Sequence, residues 1–251
     1  MATAGRSRGP GPERAFASPL PTSGEVRLDR EEGHHLVRVR RARVGDEIVL
    51  FDGSGATRLA RLADERAEGP TLEIVSDYPD REPSVKVAVA AALPAASRSD
   101  DLVAALAELG VHTLVPLSTA RGMPDLAPFL ERRRSRFERL VLEAAKVNGR
   151  SRFLRIEAPR GLAELAAWGG ASAEGWAPIL LDTDPDAPSL SALVLTVPAP
   201  LLVVGPEGGF TDEEIETWRR SGGPVASLGA CALRTEAAAA AAAAIALGSG
   251  P

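Results

Sequence analysis

Between residues 25 and 74 the apolar positions come in short runs with a period near two, separated by turn residues. Val26 and Leu28 are followed by Val44-Gly45-Asp46-Glu47-Ile48-Val49-Leu50-Phe51, then by the turn Asp52-Gly53-Ser54-Gly55 and a return strand toward Ile74. Turn chemistry at that density predicts a small β-barrel. Within it, His34 to Arg43 interleaves Leu36, Val37 and Val39 with Arg38, Arg40, Arg41 and Arg43. One edge of this segment is expected to meet a core while the other presents guanidinium groups.

Two prolines and three acidic residues in Asp77 to Pro83 mark a linker. Beyond it the pattern changes. Val85 to Leu93 is an apolar run suited to a buried strand, and Ser99-Asp100-Asp101 offers an N-cap and an acidic first turn. The helix so started carries Leu102, Leu106 and Leu109 on one face and ends at Gly110. Thr113 to Leu117 is a further strand, Phe129 to Val147 a long arginine-rich helix, and Ile179 to Leu181 and Leu201 to Val204 two more strands. Strands alternating with helices predict an α/β domain built on a mainly parallel sheet. Ligands of such sheets meet the loops beyond the carboxyl ends of the strands.

With 251 residues, 45% hydrophobic and 25% charged, the chain can bury two modest cores, and a soluble protein of two unequal domains is expected. Residues 1–13 read as a Gly/Pro/Arg-rich disordered tail, residues 14–80 as the barrel and residues 81–251 as the α/β domain. The single cysteine, Cys231, excludes an internal disulfide framework. Three histidines (His34, His35 and His112) make a Cys/His zinc site improbable, so no metal is expected. The low cysteine count fits a reducing, cytoplasmic setting, and because the longest uncharged apolar run, Ala237 to Leu247, is too short to cross a bilayer, no membrane partner is expected.

A net charge of -5 argues against a nucleic-acid partner until its distribution is considered. Residues 131–160 hold ten Lys or Arg against four Asp or Glu, whereas residues 161–251 hold three against eleven. A locally basic surface on an acidic protein is compatible with RNA. The excess of Arg over Lys, 27 to 2, fits a compositional bias of the alanine-rich chain and carries little weight.

Two loops stand where a parallel sheet places its ligands. Gly205-Pro206-Glu207-Gly208-Gly209-Phe210 follows a strand and precedes Thr211-Asp212-Glu213-Glu214, whose Thr211 and Glu214 spell a capping box. The positive end of that helix faces the loop, and glycines permit close approach to the backbone. Leu228 to Glu236 precedes the run Ala237 to Ala244, for which Thr235 is a candidate cap and Gly248 a stop. No Gly-Lys-Ser/Thr follows the first loop, no Gly-x-Gly-x-x-Gly opens the first βαβ unit, and no Gly-x-Ser-x-Gly elbow occurs. ATP, NAD and α/β-hydrolase chemistry are therefore disfavoured. On spacing alone, the first loop also suits a plain strand-to-helix turn, and the second merely leads into a C-terminal packing helix.

The strings GPEGGFTDEEIE and LGACALRTEAAAAAAAAIAL closely resemble the C-terminal signature of the RsmE family, the 16S rRNA (uracil-N3)-methyltransferases. Arg14-Ala15-Phe16, HHLVRVRRARVGDEIVLFDGSG and AELGVHTLVPLSTARG resemble further family segments in order and spacing. The resemblance thus spans the chain from about Arg14.

It implies a PUA-like β-barrel ahead of a SPOUT α/β methyltransferase domain whose C-terminal segment forms a deep trefoil knot. It also implies a homodimer, S-adenosyl-L-methionine (SAM) as methyl donor, and 16S rRNA of the small subunit as substrate. Carried over by position, the cofactor contacts are Leu181, Gly205, Pro206, Glu207, Gly208, Gly209, Leu228, Gly229 and Leu233. Arg234, Glu236 and Glu207 are the catalytic candidates, because uracil N3 must lose a proton and the charge that develops must be stabilised. Each of the two glutamates is equally suited to holding a helix end.

Arg14, Arg38, Arg40 and Arg41 are the RNA-docking candidates of the barrel. Arg132, Arg133, Arg134, Arg136 and Arg150 form a second group, assigned to the long helix.

Three places depart from the family pattern. A lysine usual after the first strand of the α/β domain is absent from Leu93-Pro94-Ala95-Ala96-Ser97-Arg98, where Arg98 offers the same charge. A glutamine is absent from Glu143 to Asn148, and Cys231-Ala232 replaces an arginine-isoleucine pair. A divergent paralogue, acting on another RNA or binding SAM without turnover, is the alternative these departures leave.

Overall fold

The structure, a computed structural model, describes residues 12–66 and 69–249. The expected tail lies outside the described residues as far as residue 11, while Glu13 already opens the first strand. The chain forms two compact units, one running to Arg81 and including Gly149–Arg152, the other comprising Glu82–Asn148 and Phe153 onward.

The first unit contains β1 (Glu13–Phe16), β2 (Glu25–Arg27), α1 (Arg30–His34), β3 (Glu47–Phe51), β4 (Thr57–Asp64) and β5 (Thr71–Asp77). Its strands form one sheet in the order β1-β3-β4-β5-β2, antiparallel except for the parallel β1–β3 pair. Alternation along the strands puts Ile48, Leu50, Ala60 and Leu62 into a core with Ala15, Val26, Leu28 and Leu72.

The arginine-rich segment is helical. Asp29 caps α1 by accepting from the Glu32 amide at 2.8 Å, and α1 continues into a π-helical turn over His35–Val39. Leu36 is buried there while Arg38, Arg40 and Arg41 remain exposed. The expected division between apolar and cationic edges thus falls on a helix face.

Residues 149–152 also belong to this unit. Gly55 donates its amide to the Ser151 carbonyl at 3.1 Å, and Ser151 Oγ donates to Asp80 at 2.6 Å. Arg150 is therefore not on the long helix; it is buried, and its carbonyl accepts from Arg14 at 2.7 Å.

The second unit contains β6 (Ala88–Ala91), α2 (Ser97–Leu109), β7 (Thr113–Ser118), α3 (Leu126–Asn148), β8 (Arg155–Ile156), β9 (Arg160–Gly161) and α4 (Leu162–Ala171). It continues with β10 (Ala177–Leu181), α5 (Leu190–Val194), β11 (Pro200–Val204), α6 (Asp212–Arg220), β12 (Val225–Ala226) and α7 (Thr235–Leu247). The sheet order is β12-β10-β11-β6-β7-β8, with β9 also pairing with β7, and every pair is parallel.

Both faces of this sheet are covered. Val89, Ala91, Leu202 and Val204 face a core shared with α2, α3 and α7, whereas Ala88, Ala90, Leu201 and Val203 face one with Trp176 and Trp218. Burial on both faces explains why these strands read as unbroken apolar runs. Small side chains on α7 let it pack closely on α2, and Ala239, Ala242, Ala243 and Ala246 are all buried.

Two local expectations need correction. Helix α2 begins at Ser97 rather than after Ser99, and the buried Ser99 hydroxyl donates to the Pro94 carbonyl instead of capping. Leu109 lies at the helix end and is 38% exposed. Gly110 does end the helix, in the left-handed conformation. Among the described residues no helix is long and apolar enough to cross a membrane.

Candidate active site

The site lies beyond the carboxyl ends of β10, β11 and β12, where the parallel sheet exposes its loops. After β11 the chain turns through Gly205 to Phe210, closed by a bond from the Gly209 amide to the Pro206 carbonyl at 2.8 Å. Gly209 has φ +67°, which only glycine adopts readily. The capping box follows as expected. Glu214 accepts from the Thr211 amide at 2.8 Å, and Thr211 accepts from the Glu214 amide at 3.2 Å.

The same Glu214 carboxylate accepts from the Ala120 amide at 2.9 Å. The neighbouring Arg121 donates to the Gly208 carbonyl at 2.7 Å and to that of Phe210 at 3.3 Å. Thus the loop after β7 braces the loop after β11.

The second loop leaves β12 through Ser227 and turns at Gly229, whose φ is +123°. Helix α7 then starts with Arg234 as its N-cap, a correction to the expected capping by Thr235. Thr235 is one residue inside the helix and buried, and its hydroxyl donates to the Gly205 carbonyl at 3.1 Å.

Between these loops is a cavity of about 280 Å³. Leu181, Gly205, Pro206, Glu207, Gly208, Gly209, Leu228, Gly229 and Leu233 all line it. Cys231 and Ala232, inside the expected loop from Leu228 to Leu233, line it as well, as do Asp182 and Thr183, which the sequence did not single out as cofactor contacts. No protein atom lies within 4 Å of where a Cβ on Gly209 or Gly229 would stand. The walls are mainly apolar side chains and glycine backbone, the donor set suited to a nucleoside-bearing ligand such as SAM.

Charge gathers around Glu207. Arg98 ion-pairs with it, and this hydrogen bond holds the Glu207 carboxyl below its usual range against a smaller opposing effect of burial. The fields of Arg98 and Arg234 act in the same direction. Reciprocally, the bond to Glu207 raises Arg98, and Glu236 adds to the effect. Arg234 is exposed and has no ion-pair partner among the described residues. Glu236 sits in the first turn of α7, with one carboxylate oxygen buried and without a hydrogen-bond partner. Neither Arg234 nor Glu236 lines the cavity itself.

Arg98 and Arg121 are the arginines around the site that sequence reasoning did not place there. Both follow the carboxyl ends of sheet strands, so the rule that singled out the last two loops applies equally to the loops after β6 and β7.

The RNA-docking candidates separate by environment. Arg14 is half-buried, its guanidinium 4.7 Å from the centre of the Phe51 ring, and is engaged in holding the first unit together. Arg40 lies 3.6 Å from Glu13, while Arg38 and Arg41 are exposed. On α3, Arg133 and Arg136 both bind Asp100, and Arg134 pairs with Glu131 at 2.9 Å.

The RNA methyltransferase domain model matches residues 81–247, and the RNA methyltransferase PUA domain model matches residues 28–75. Fold and site therefore define an RNA methyltransferase with an N-terminal PUA domain. The chain is 30% identical over 249 residues to Ribosomal RNA small subunit methyltransferase E of Mycobacterium tuberculosis, covering 93% of this chain and 89% of that protein. It is 27% identical over 226 residues to the protein of that name from Bacillus subtilis, covering 83% and 84%. The structure of that enzyme from Neisseria gonorrhoeae bound to S-adenosyl methionine matches with a TM-score of 0.79 and 26% identity, over 93% of this chain and 95% of that one. The chain belongs to the ribosomal RNA small subunit methyltransferase E family.

Proposed function

We propose that this protein transfers the methyl group of SAM to N3 of a uridine in the 16S rRNA of the small ribosomal subunit. It acts in the cytoplasm as a homodimer, with its C-terminal segment threaded as a deep trefoil knot. The observation that carries the catalytic reading is the convergence of the loops after β10, β11 and β12 on one cavity edged by opposed charges. The relatives' shared name, and the S-adenosyl methionine bound to the Neisseria gonorrhoeae structure, support the donor and the RNA.

SAM supplies a methyl group made electrophilic by its sulfonium. Leu181, Leu228 and Leu233 provide the apolar slot for its adenosine, and the glycine backbone of the two loops comes close enough to donate hydrogen bonds. Uracil N3 is protonated at neutral pH, so attack requires loss of that proton. Arg234, exposed and without an ion-pair partner among the described residues, is available to a uracil oxygen as negative charge develops. Glu236, with an unpartnered carboxylate oxygen, accepts the proton. Glu207, held as an anion by Arg98, orients its neighbours and is a poor base. On the PUA domain, Arg38 and Arg41 are the exposed contacts for RNA phosphate, while Arg14 and Arg40 serve mainly the fold.

The test is nucleoside mass spectrometry of small subunits lacking 3-methyluridine after incubation with the protein and SAM. Appearance of 3-methyluridine is expected. SAM binding without any methylated base would instead indicate a docking protein without turnover, and another methylated base a different RNA target.

A further inference from the structure

Glu207 is ion-paired with Arg98 and feels the field of Arg234, and only the second of these guanidinium groups entered the catalytic reading. Arg98 reaches it from the first turn of α2, immediately beyond the turn that follows β6. That turn is unusual. Ala96 has φ +42° and ψ -109°, a conformation costly for any residue with a Cβ, and the buried Ser99 hydroxyl closes the turn on the Pro94 carbonyl. Strain retained at one alanine fixes where the Arg98 side chain leaves the backbone.

The pairing with Glu207 uses Nη1 of Arg98. A guanidinium has four further N–H donors in a rigid plane, so a single carboxylate contact orients the fork without consuming it. Arg98 retains 31% side-chain exposure, enough for a ligand to reach. The charged groups of this cluster are Glu207 and Glu236 around Arg98, Arg98 and Arg234 around Glu207, and Arg121 on the Gly208 carbonyl.

We infer that Arg98 is a second catalytic guanidinium, acting with Arg234 on the two oxygens that flank uracil N3, and that Glu207 is the residue that orients it. This rests on the uridine-N3 reading. When N3 loses its proton the negative charge spreads over O2 and O4, one on each side of the reacting nitrogen. Two cations stabilise it better than one. In the step itself the proton passes from N3 to the Glu236 carboxylate, the freed electron pair forms the N–C bond, and the electrons of the breaking C–S bond stay with sulfur. Preorganised cations act before the charge appears, so stabilisation requires no rearrangement at the moment of reaction.

The inference is tested with Arg98→Ala, Arg98→Lys and Glu207→Gln, each checked for wild-type thermal unfolding. Binding of 5-fluorouridine 5′-monophosphate to SAM-free protein is followed by fluorine NMR against pH, which reports ionisation of N3 in the bound nucleotide. Single-turnover formation of 3-methyluridine in small subunits is measured alongside, with SAM affinity by calorimetry. Binding to wild type is expected to lower the pH at which N3 ionises. Arg98→Ala should lose part of that shift and slow methyl transfer by about 10²-fold, with SAM affinity unchanged within about twofold. Arg98→Lys should recover much of both, and Glu207→Gln should fall between.

If wild type forms 3-methyluridine and Arg98→Ala equals it in rate and in N3 ionisation, the inference is overturned. If wild type forms none, the uridine-N3 reading fails instead. The NMR titration then decides separately whether Arg98 acts on a uracil.

Discussion

Thr235 donates its hydroxyl proton to the carbonyl of Gly205 at 3.1 Å, joining the start of α7 to the loop that follows β11. The bond spans 30 positions in sequence and is part-buried, with Thr235 itself 3% exposed. It fixes the spacing between the two loops that line the cavity. Thr235→Val removes the donor and keeps the shape, a loss of about 0.5–1.5 kcal/mol for a part-buried bond whose carbonyl water can reach from the cavity. A lower melting temperature and weaker SAM binding by calorimetry are expected, with Thr235→Ser retaining most of both. A Thr235→Val protein binding SAM as wild type does would show that the loops are spaced by other contacts.

Arg121 makes a second brace, donating to the carbonyls of Gly208 and Phe210. Its guanidinium substitutes for water on two loop carbonyls, and hydrogen bonds from charged donors contribute about 1.5–3 kcal/mol each when sheltered. Much of that is lost at this exposed position. Arg121→Ala should therefore weaken SAM binding by about tenfold, a loss near 1.4 kcal/mol, with little change in thermal unfolding. Equal affinities of variant and wild type would count against the brace.

The alternation of strands and helices, the parallel sheet and the two glycine loops are all legible in the sequence, because they follow from patterns a few residues long. Val85 to Leu93 and Leu201 to Val204 read as buried strands since both faces of the sheet are covered. What the sequence hides is set by contacts between distant positions. Ser99 has every local mark of an N-cap, yet its hydroxyl turns back to Pro94 because the strained turn at Ala96 starts the helix three residues earlier. Thr235 likewise reads as a cap, and Gly205 claims its hydroxyl. The helical His35–Val39 turn resembles a strand because Leu36, Val37 and Val39 fit either period over so short a run. Residues 149–152 join the first unit through Asp80 and Gly55, partners that no local pattern announces.

Packing of α7 on α2 depends on methyl-sized side chains. Ala243 is fully buried and Ala244, the next residue, is exposed. Leucine at position 243 forces overpacking that costs about 1–3 kcal/mol, whereas at 244 it points to solvent and stays within about 0.5 kcal/mol. Thermal or urea unfolding of Ala243→Leu and Ala244→Leu should therefore diverge. Equal stabilities would mean that the α2–α7 contact is loose enough to absorb an isobutyl group.

Acid sensitivity should be traceable in part to Asp100. Burial alone would raise its carboxyl, but hydrogen bonds from Arg133 and Arg136 outweigh that effect and hold it below the usual range. A carboxyl depressed in the folded state stabilises the protein above its unfolded-state pKa of about 3.9. That contribution disappears as pH falls below this value and through the lower folded-state pKa, where the folded protein too becomes protonated. Asp100→Asn removes the titrating group while keeping the side-chain shape. The variant should be less stable than wild type near neutral pH, and the gap between their melting temperatures should close as pH falls from about 5 toward 3. The contacts are partly solvated, with Arg136 43% exposed, so the gap will be modest. A gap that stays constant over this range would show that the loss comes from packing between α2 and α3 and not from the charge of Asp100.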